Sequence, residues 1–234
     1  MKIKWFGHSA FEIKLNSGTT LLLDPFLDKN PASPIKSKNI KRADFILVSH
    51  GHYDHLGDTI LIASRLNSKL IAMVELGVYC RSRFLKNVEM MNICSPLKFG
   101  EVEIGLTPAA HSTGIGLESG EAIYAGMANG FIIKAENKTI YFAGDTGLFS
   151  DLKMIGEVYK PDLAILPIGG RFTMDCKEAA LAAKWINSEI VLPMHYGSLP
   201  GTNKVDPQDF QKEVKKQSPK TKCIILQTGE EIEL

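Results

Sequence analysis

His50-Gly51-His52-Tyr53-Asp54-His55 places three of the chain's six histidines and a carboxylate in six consecutive positions. The segment before it, Ala43-Asp44-Phe45-Ile46-Leu47-Val48-Ser49, is short, apolar and β-branched, which predicts a buried strand ending at Ser49. His50 then stands at a strand's end. Side chains two apart on extended backbone point the same way, so His50 and His52 can grip one ion while Asp54 and His55, beyond a bend, reach a second. Imidazole with carboxylate favours zinc and leaves manganese, iron and nickel as alternatives. A polar loop merely rich in histidine would have no reason to follow a buried strand at this spacing.

Working outward, residues 1–23 alternate apolar and polar side chains around Asn16-Ser17-Gly18, which predicts antiparallel strands ended by Asp24-Pro25. Prolines 31 and 34 make 26–42 a loop. After the histidine motif come a helix over 58–66 with Asp58 as N-cap, a strand over 69–74, a helix over 75–85 and strands over 89–107. Five glycines lie at 114, 116, 120, 126 and 130, and this stretch reads either as a loop covering substrate or as a surface hairpin. A hairpin over 131–143 then delivers Gly144-Asp145-Thr146. Helices over 150–159, 177–187 and 207–216 alternate with strands over 162–167, 189–193 and 223–226. Each candidate ligand therefore falls at or just past a strand end, where open α/β sheets place their sites.

A chain of 234 residues without a Pro/Ser-rich tract, charge block or low-complexity run is expected to form a single domain over 1–234. With 27 basic and 26 acidic residues the net charge is +1, so composition gives no case for nucleic acid or a membrane surface as partner. The N-terminus lacks a signal-peptide core and no apolar run reaches about 18 residues, so we expect a cytoplasmic protein. Homo-oligomerisation is left open. Cys80, Cys94, Cys176 and Cys223 form no CxxC pair and read as reduced thiols, with Cys94 and Cys223 expected to be buried as small hydrophobes.

The pieces Leu21-Leu22-Leu23-Asp24-Pro25, His50 to His55, Pro108-Ala109-Ala110-His111-Ser112, Ala143-Gly144-Asp145-Thr146 and Pro193-Met194-His195-Tyr196 occur in an order that resembles the metallo-β-lactamase superfamily. Trp5-Phe6-Gly7-His8-Ser9-Ala10-Phe11, Gly144 to Phe149 and Pro167-Ile168-Gly169-Gly170 look most like its metal-dependent hydrolases related to ascorbate-6-phosphate lactonases. The resemblance implies an α/β fold, a four-layer αββα sandwich of two mixed sheets with helices outside. It implies two divalent ions, one on His50, His52 and His111, the other on Asp54, His55 and His195, with Asp145 bridging. Cations in such a site bring the pKa of bound water toward ~7, which supplies a hydroxide nucleophile near neutral pH. Asp24 is expected to orient a ligand histidine. His8, Arg171 and Tyr196 flank the motifs, and we expect His8 and Arg171 to act with Asp54 in catalysis, as proton donor or anion contact.

The expected function is therefore a dinuclear metal-dependent hydrolase acting on a small anionic ester, lactone or phosphodiester. A nuclease of the same superfamily is the alternative within chemistry, disfavoured by the neutral charge. A di-iron redox enzyme typically has an acidic residue where His52 stands. A protein holding metal for structure alone would be expected to use a closed four-ligand site.

Overall fold

The computed structural model describes residues 1–117, 119–199 and 204–234. The first elements are β1 (Lys2–Trp5), β2 (Phe11–Lys14), β3 (Thr20–Leu23), β4 (Phe45–Val48), α1 (Tyr53–Leu56), α2 (Thr59–Leu66), β5 (Lys69–Met73), α3 (Val74–Ser82), β6 (Val88–Met91), β7 (Leu97–Phe99) and β8 (Val102–Pro108). There follow β9 (Gly114–Gly116), β10 (Ala122–Tyr124), β11 (Asn129–Ala135), β12 (Lys138–Phe142), α4 (Asp151–Tyr159), β13 (Leu163–Pro167), α5 (Cys176–Ile186), β14 (Ile190–Met194), α6 (Pro207–Gln217), β15 (Lys222–Cys223) and β16 (Glu231–Glu233). They divide into two compact units, one of Met1–Asn92, Ser112–Ala128 and Gln227–Leu234, the other of Ile93–His111 and Asn129–Leu226.

The first unit is built on a seven-stranded mixed sheet in the order β16-β1-β2-β3-β4-β5-β6. The strands from β3 to β6 run parallel, while β16, β1, β2 and β3 pair antiparallel. All four residues of β3 are buried, as are Ile46, Leu47 and Val48 of β4, which accounts for their apolar character. Leu22, Ile46, Val48, Leu70 and Ala72 pack with Ile62 of α2 and Leu76 of α3. Asp58 occupies the N-cap of α2, but its side chain does not cap the helix. Its carboxylate instead accepts the backbone N–H groups of Leu27 and Asp28 at 2.7 and 2.9 Å, pinning the loop after β3.

The glycine-rich stretch, apart from Glu118, which lies outside the described residues, carries the hairpin β9–β10. Ile115 and Ala125 at its base enter the core of the first unit. Gly51 is needed opposite them, because a Cβ there would lie 2.8 Å from Ala125 Cβ and 2.9 Å from Ile115 Cγ1. The C-terminal strand β16, pairing antiparallel with β1, is an element the sequence pattern did not announce. Neither did the single helical turn α1.

The second unit repeats this plan with the order β15-β14-β13-β12-β11-β8-β7. β12 to β15 are parallel, and β11, β8 and β7 extend them antiparallel. Ala179, Ala180, Ala182, Ala183 and Ile186 of α5 are buried against Leu152 and Ile155 of α4 and Phe210 of α6. The small side chains allow close helix packing. Asp175 caps α5 by accepting from Lys177 and Glu178 N, and Glu178 Oε2 accepts from Asp175 N in return. Asp206 caps α6, with Pro207 at its start. The strand expected over 223–226 is only the two-residue β15.

Cys94 is exposed, contrary to its expected burial, because it lies on the irregular segment between β6 and β7. Cys223 is partly buried, and burial pushes its thiol up to about 12. Among the described residues no helix is long and apolar enough to cross a membrane.

Candidate metal centre

In the first unit everything converges on the C-terminal ends of β3 and β4. Asp24 N continues the parallel ladder to Leu47 O at 2.9 Å, after which the backbone turns into the left-handed region at Asp24 (φ 42°). That turn aims the carboxylate back at the neighbouring strand end. Oδ1 accepts from Ser49 N at 2.7 Å and Oδ2 from Ser49 Oγ at 2.6 Å. His55 Nδ1 lies 2.7 Å from the same Oδ2. Asp24 is fully buried, and burial raises its pKa against the opposing pull of His55 and Ser49. One ligand atom each of Asp24, His50 and His55 lie within 4.8 Å of one another. Both Asp24 oxygens already accept hydrogen bonds from Ser49, and the contact of Oδ2 with His55 Nδ1 is the kind expected of a carboxylate that orients a histidine.

His50 Nδ1 lies 3.0 Å from Ser49 Oγ, which fixes the ring so that Nε2 faces His52 Nδ1 at 2.9 Å. The turn α1 carries Asp54 and His55 inward, and Asp54 Oδ2 stands 4.0 Å from His55 Nε2. His8 is fully buried on a left-handed backbone (φ 54°), with Trp5 Nε1 donating to its carbonyl at 3.0 Å. Its Nε2 lies 3.0 Å from Asp54 Oδ2, and His8, Asp54 and His55 fall within one 4.8 Å group. The sequence reading grouped His8 with Asp54 without foreseeing that the two side chains touch.

In the second unit Asp145 follows β12 and His195 follows β14, the latter at φ 62°. His195 Nε2 lies 3.0 Å and His111 Nε2 3.6 Å from Asp145 Oδ2. Thr146 Oγ1 accepts from Ala110 N at 3.0 Å, and Gly147 N donates to Ala110 O at 3.1 Å, which ties the His111 segment to the Asp145 segment. Gly169 is required at the end of β13, since a Cβ there would lie 2.8 Å from His195 Nδ1 and clash with its carbonyl. The loop after it is held by Gly170 N to Met174 O and Met174 N to Thr146 O. Arg171 is exposed on this loop with its guanidinium carbon 4.9 Å from the centre of the Phe172 ring. Tyr196 packs into the helix-side core of this unit, and burial pushes its hydroxyl pKa well up.

These donor sets suit a divalent ion. With bonds of about 2.0–2.2 Å, neighbouring ligands on one ion lie roughly 3 Å apart. His50 to His52 at 2.9 Å and His195 to Asp145 at 3.0 Å have that spacing. Two supporting residues escaped the sequence reading. Ser49 joins Asp24 to His50, and Thr113 Oγ1 accepts from Gly51 N at 3.0 Å. Ser49's only signal was a polar residue closing an apolar strand.

Residues 2–195 match the family described as the β-lactamase superfamily domain. The chain is 43% identical over 233 residues to a UPF0173 metal-dependent hydrolase of Methanopyrus kandleri, covering all of both chains. It is 43% identical over 234 residues to one of Geobacillus thermodenitrificans, again covering all of both. Among solved structures, Igni18, a metallo hydrolase of Ignicoccus hospitalis, superposes with a TM-score of 0.88 at 34% identity, over 99% of this chain and 97% of that one. Motif order, sheet plan and histidine–aspartate clusters agree with these likenesses, and the chain belongs to the β-lactamase superfamily as one of its UPF0173 metal-dependent hydrolases.

Proposed function

We propose that the protein uses two divalent ions, zinc foremost, with manganese, iron or nickel as alternatives, to hydrolyse a small anionic ester, lactone or phosphodiester. The observation that carries this is the convergence of His50 Nε2 and His52 Nδ1 to 2.9 Å, beside an Asp54 held by His8 and a His55 held by Asp24. From motif order, His50, His52 and His111 would hold one ion and Asp54, His55 and His195 the other, with Asp145 shared. When bound, such ions acidify water near neutral pH and polarise the oxygen of the bond to be cut. Asp24 keeps His55 in one ring orientation. We assign to His8 the positioning of Asp54 rather than direct contact with an anion, because its side chain is fully buried.

Arg171 is the proposed anion contact. Its loop is fixed to Thr146 and begins at the glycine that backs His195. Its guanidinium lies over the Phe172 ring, 4.9 Å from the ring centre, and a guanidinium can pair with phosphate or carboxylate through two parallel N–H groups. Long nucleic acid is the weaker alternative as substrate, because a net charge of +1 gives no general attraction to a polyanion.

Elemental analysis after gentle purification should find up to two divalent ions per chain. Less than one equivalent after reconstitution with zinc or manganese overturns the dinuclear reading. A screen of sugar-phosphate lactones, cyclic nucleotides, phosphodiesters and uncharged esters tests the substrate class. Arg171→Ala should lower turnover efficiency on the anions by roughly ten- to a hundredfold. If uncharged esters are best and the variant leaves every substrate unaffected, the substrate is not anionic.

A further inference from the structure

A cleft of about 360 Å³ opens in the first unit beside the histidine motif. Its apolar walls are Phe26, Tyr53, Leu56 and Ile115, with Gly51 and Gly116 also in the lining. Phe26 and Tyr53 meet edge to face, with ring centres 5.9 Å apart at 90°. The cleft's two carboxylates are engaged by the chain itself. Asp58 accepts from Leu27 and Asp28 N, and Asp28 accepts from Ser37 N and Oγ at 2.7 and 2.9 Å. Lys29 adds one ammonium group to the lining, and the rest of what the cleft offers a ligand is aromatic and aliphatic surface, in a volume typical of small-molecule sites.

Its place identifies the occupant. Gly51 and Tyr53 alternate along the chain with His50, His52 and Asp54. Phe26, in the cleft wall, lies with its ring 5.9 Å from that of His8, which holds Asp54. One aromatic ring thus separates the cleft from the metal-ligand cluster. We propose that this cleft binds an aryl or branched-alkyl arm of the substrate and selects for it. The inference rests on the hydrolase reading above, which supplies the reacting end of that substrate.

Gly116 lines the cleft and is a position where a bulky side chain can be added without a clash. It is exposed, a Cβ there has no heavy atom within 4 Å, and its backbone lies outside the left-handed region. The test is calorimetric titration of the zinc-loaded protein with methylphosphonate, 2-naphthylphosphonate and neutral 2-naphthol, using wild type, Gly116→Trp and Tyr53→Ala. Burial of the naphthyl ring should make its phosphonate bind at least about tenfold more tightly than methylphosphonate, with the advantage lost in Gly116→Trp and reduced in Tyr53→Ala. Equal affinity for the two phosphonates, or an advantage that survives Gly116→Trp, overturns the cleft and leaves the hydrolase reading standing. If neither phosphonate binds, the anionic-substrate reading is what fails, and naphthol then decides the cleft. Naphthol binding that Gly116→Trp abolishes supports it, and no naphthol binding to the wild type overturns it.

Discussion

Asp24 shows how one residue can organise the ligand end of a sheet. Its ladder bond to Leu47 fixes the backbone, its left-handed φ turns the side chain, and its two oxygens gather Ser49 and His55. Such a conformation carries strain in a residue other than glycine, and His8 and His195 share it (φ 54° and 62°). Replacing Asp24 by Ala would remove the acceptor that Ser49 N, Ser49 Oγ and His55 Nδ1 share. Urea denaturation of metal-free Asp24→Ala should show a loss of about 3–5 kcal/mol, with Asp24→Asn losing less because one acceptor remains. An Ala variant as stable as wild type would mean that water replaces the carboxylate and that Asp24 does not hold the strand ends together.

The element scale explains why acids and histidines meet at strand ends. Each sheet carries a block of four parallel strands, and in each a buried aspartate follows the first strand of that block, Asp24 after β3 and Asp145 after β12. Parallel strands end on the same side, so residues distant in sequence gather there. The helices between them are set by local signals, of which the Asp175–Glu178 capping box of α5 is the clearest. Asp175→Ala removes the acceptor for two N–H groups and should lower the melting temperature by roughly 2–4 °C. Thermal unfolding by circular dichroism reads this directly. An unchanged midpoint would show that packing of the alanine face alone holds the helix start.

For the molecule as a whole, bound metal should contribute stability through mass action, because an unfolded chain has no preformed ligand set. Free zinc at a hundredfold excess over its dissociation constant adds about 2.7 kcal/mol. For a chain of this length that corresponds to a rise of roughly 5–10 °C in melting temperature, reversed by dialysis against a chelator. Scanning calorimetry of the two forms is the measurement. Coincident transitions would place the ions at a site not coupled to folding.

Much of this was written in the linear order of residues. The apolar run 43–49 had to be a buried strand because only that environment accommodates Ile46, Leu47 and Val48 together, and the histidines after it had to stand at its end. Glycine, proline and capping residues marked the loops and helices for equally local reasons, as Asp206-Pro207 does for α6. The partnership of His8 with Asp54, the joining of Asp24 to Ser49 and His55, and the close approach of Gly169 to His195 depend on strands far apart in sequence lying side by side. The same holds for β16 on β1, across almost the whole chain, and for Asp58, whose carboxylate left its helix for the N–H groups of a distant loop. A sequence can show that a polar side chain needs a partner, but a buried hydrogen bond is chosen by which donors the folded backbone brings within about 3 Å, and only the tertiary structure decides that.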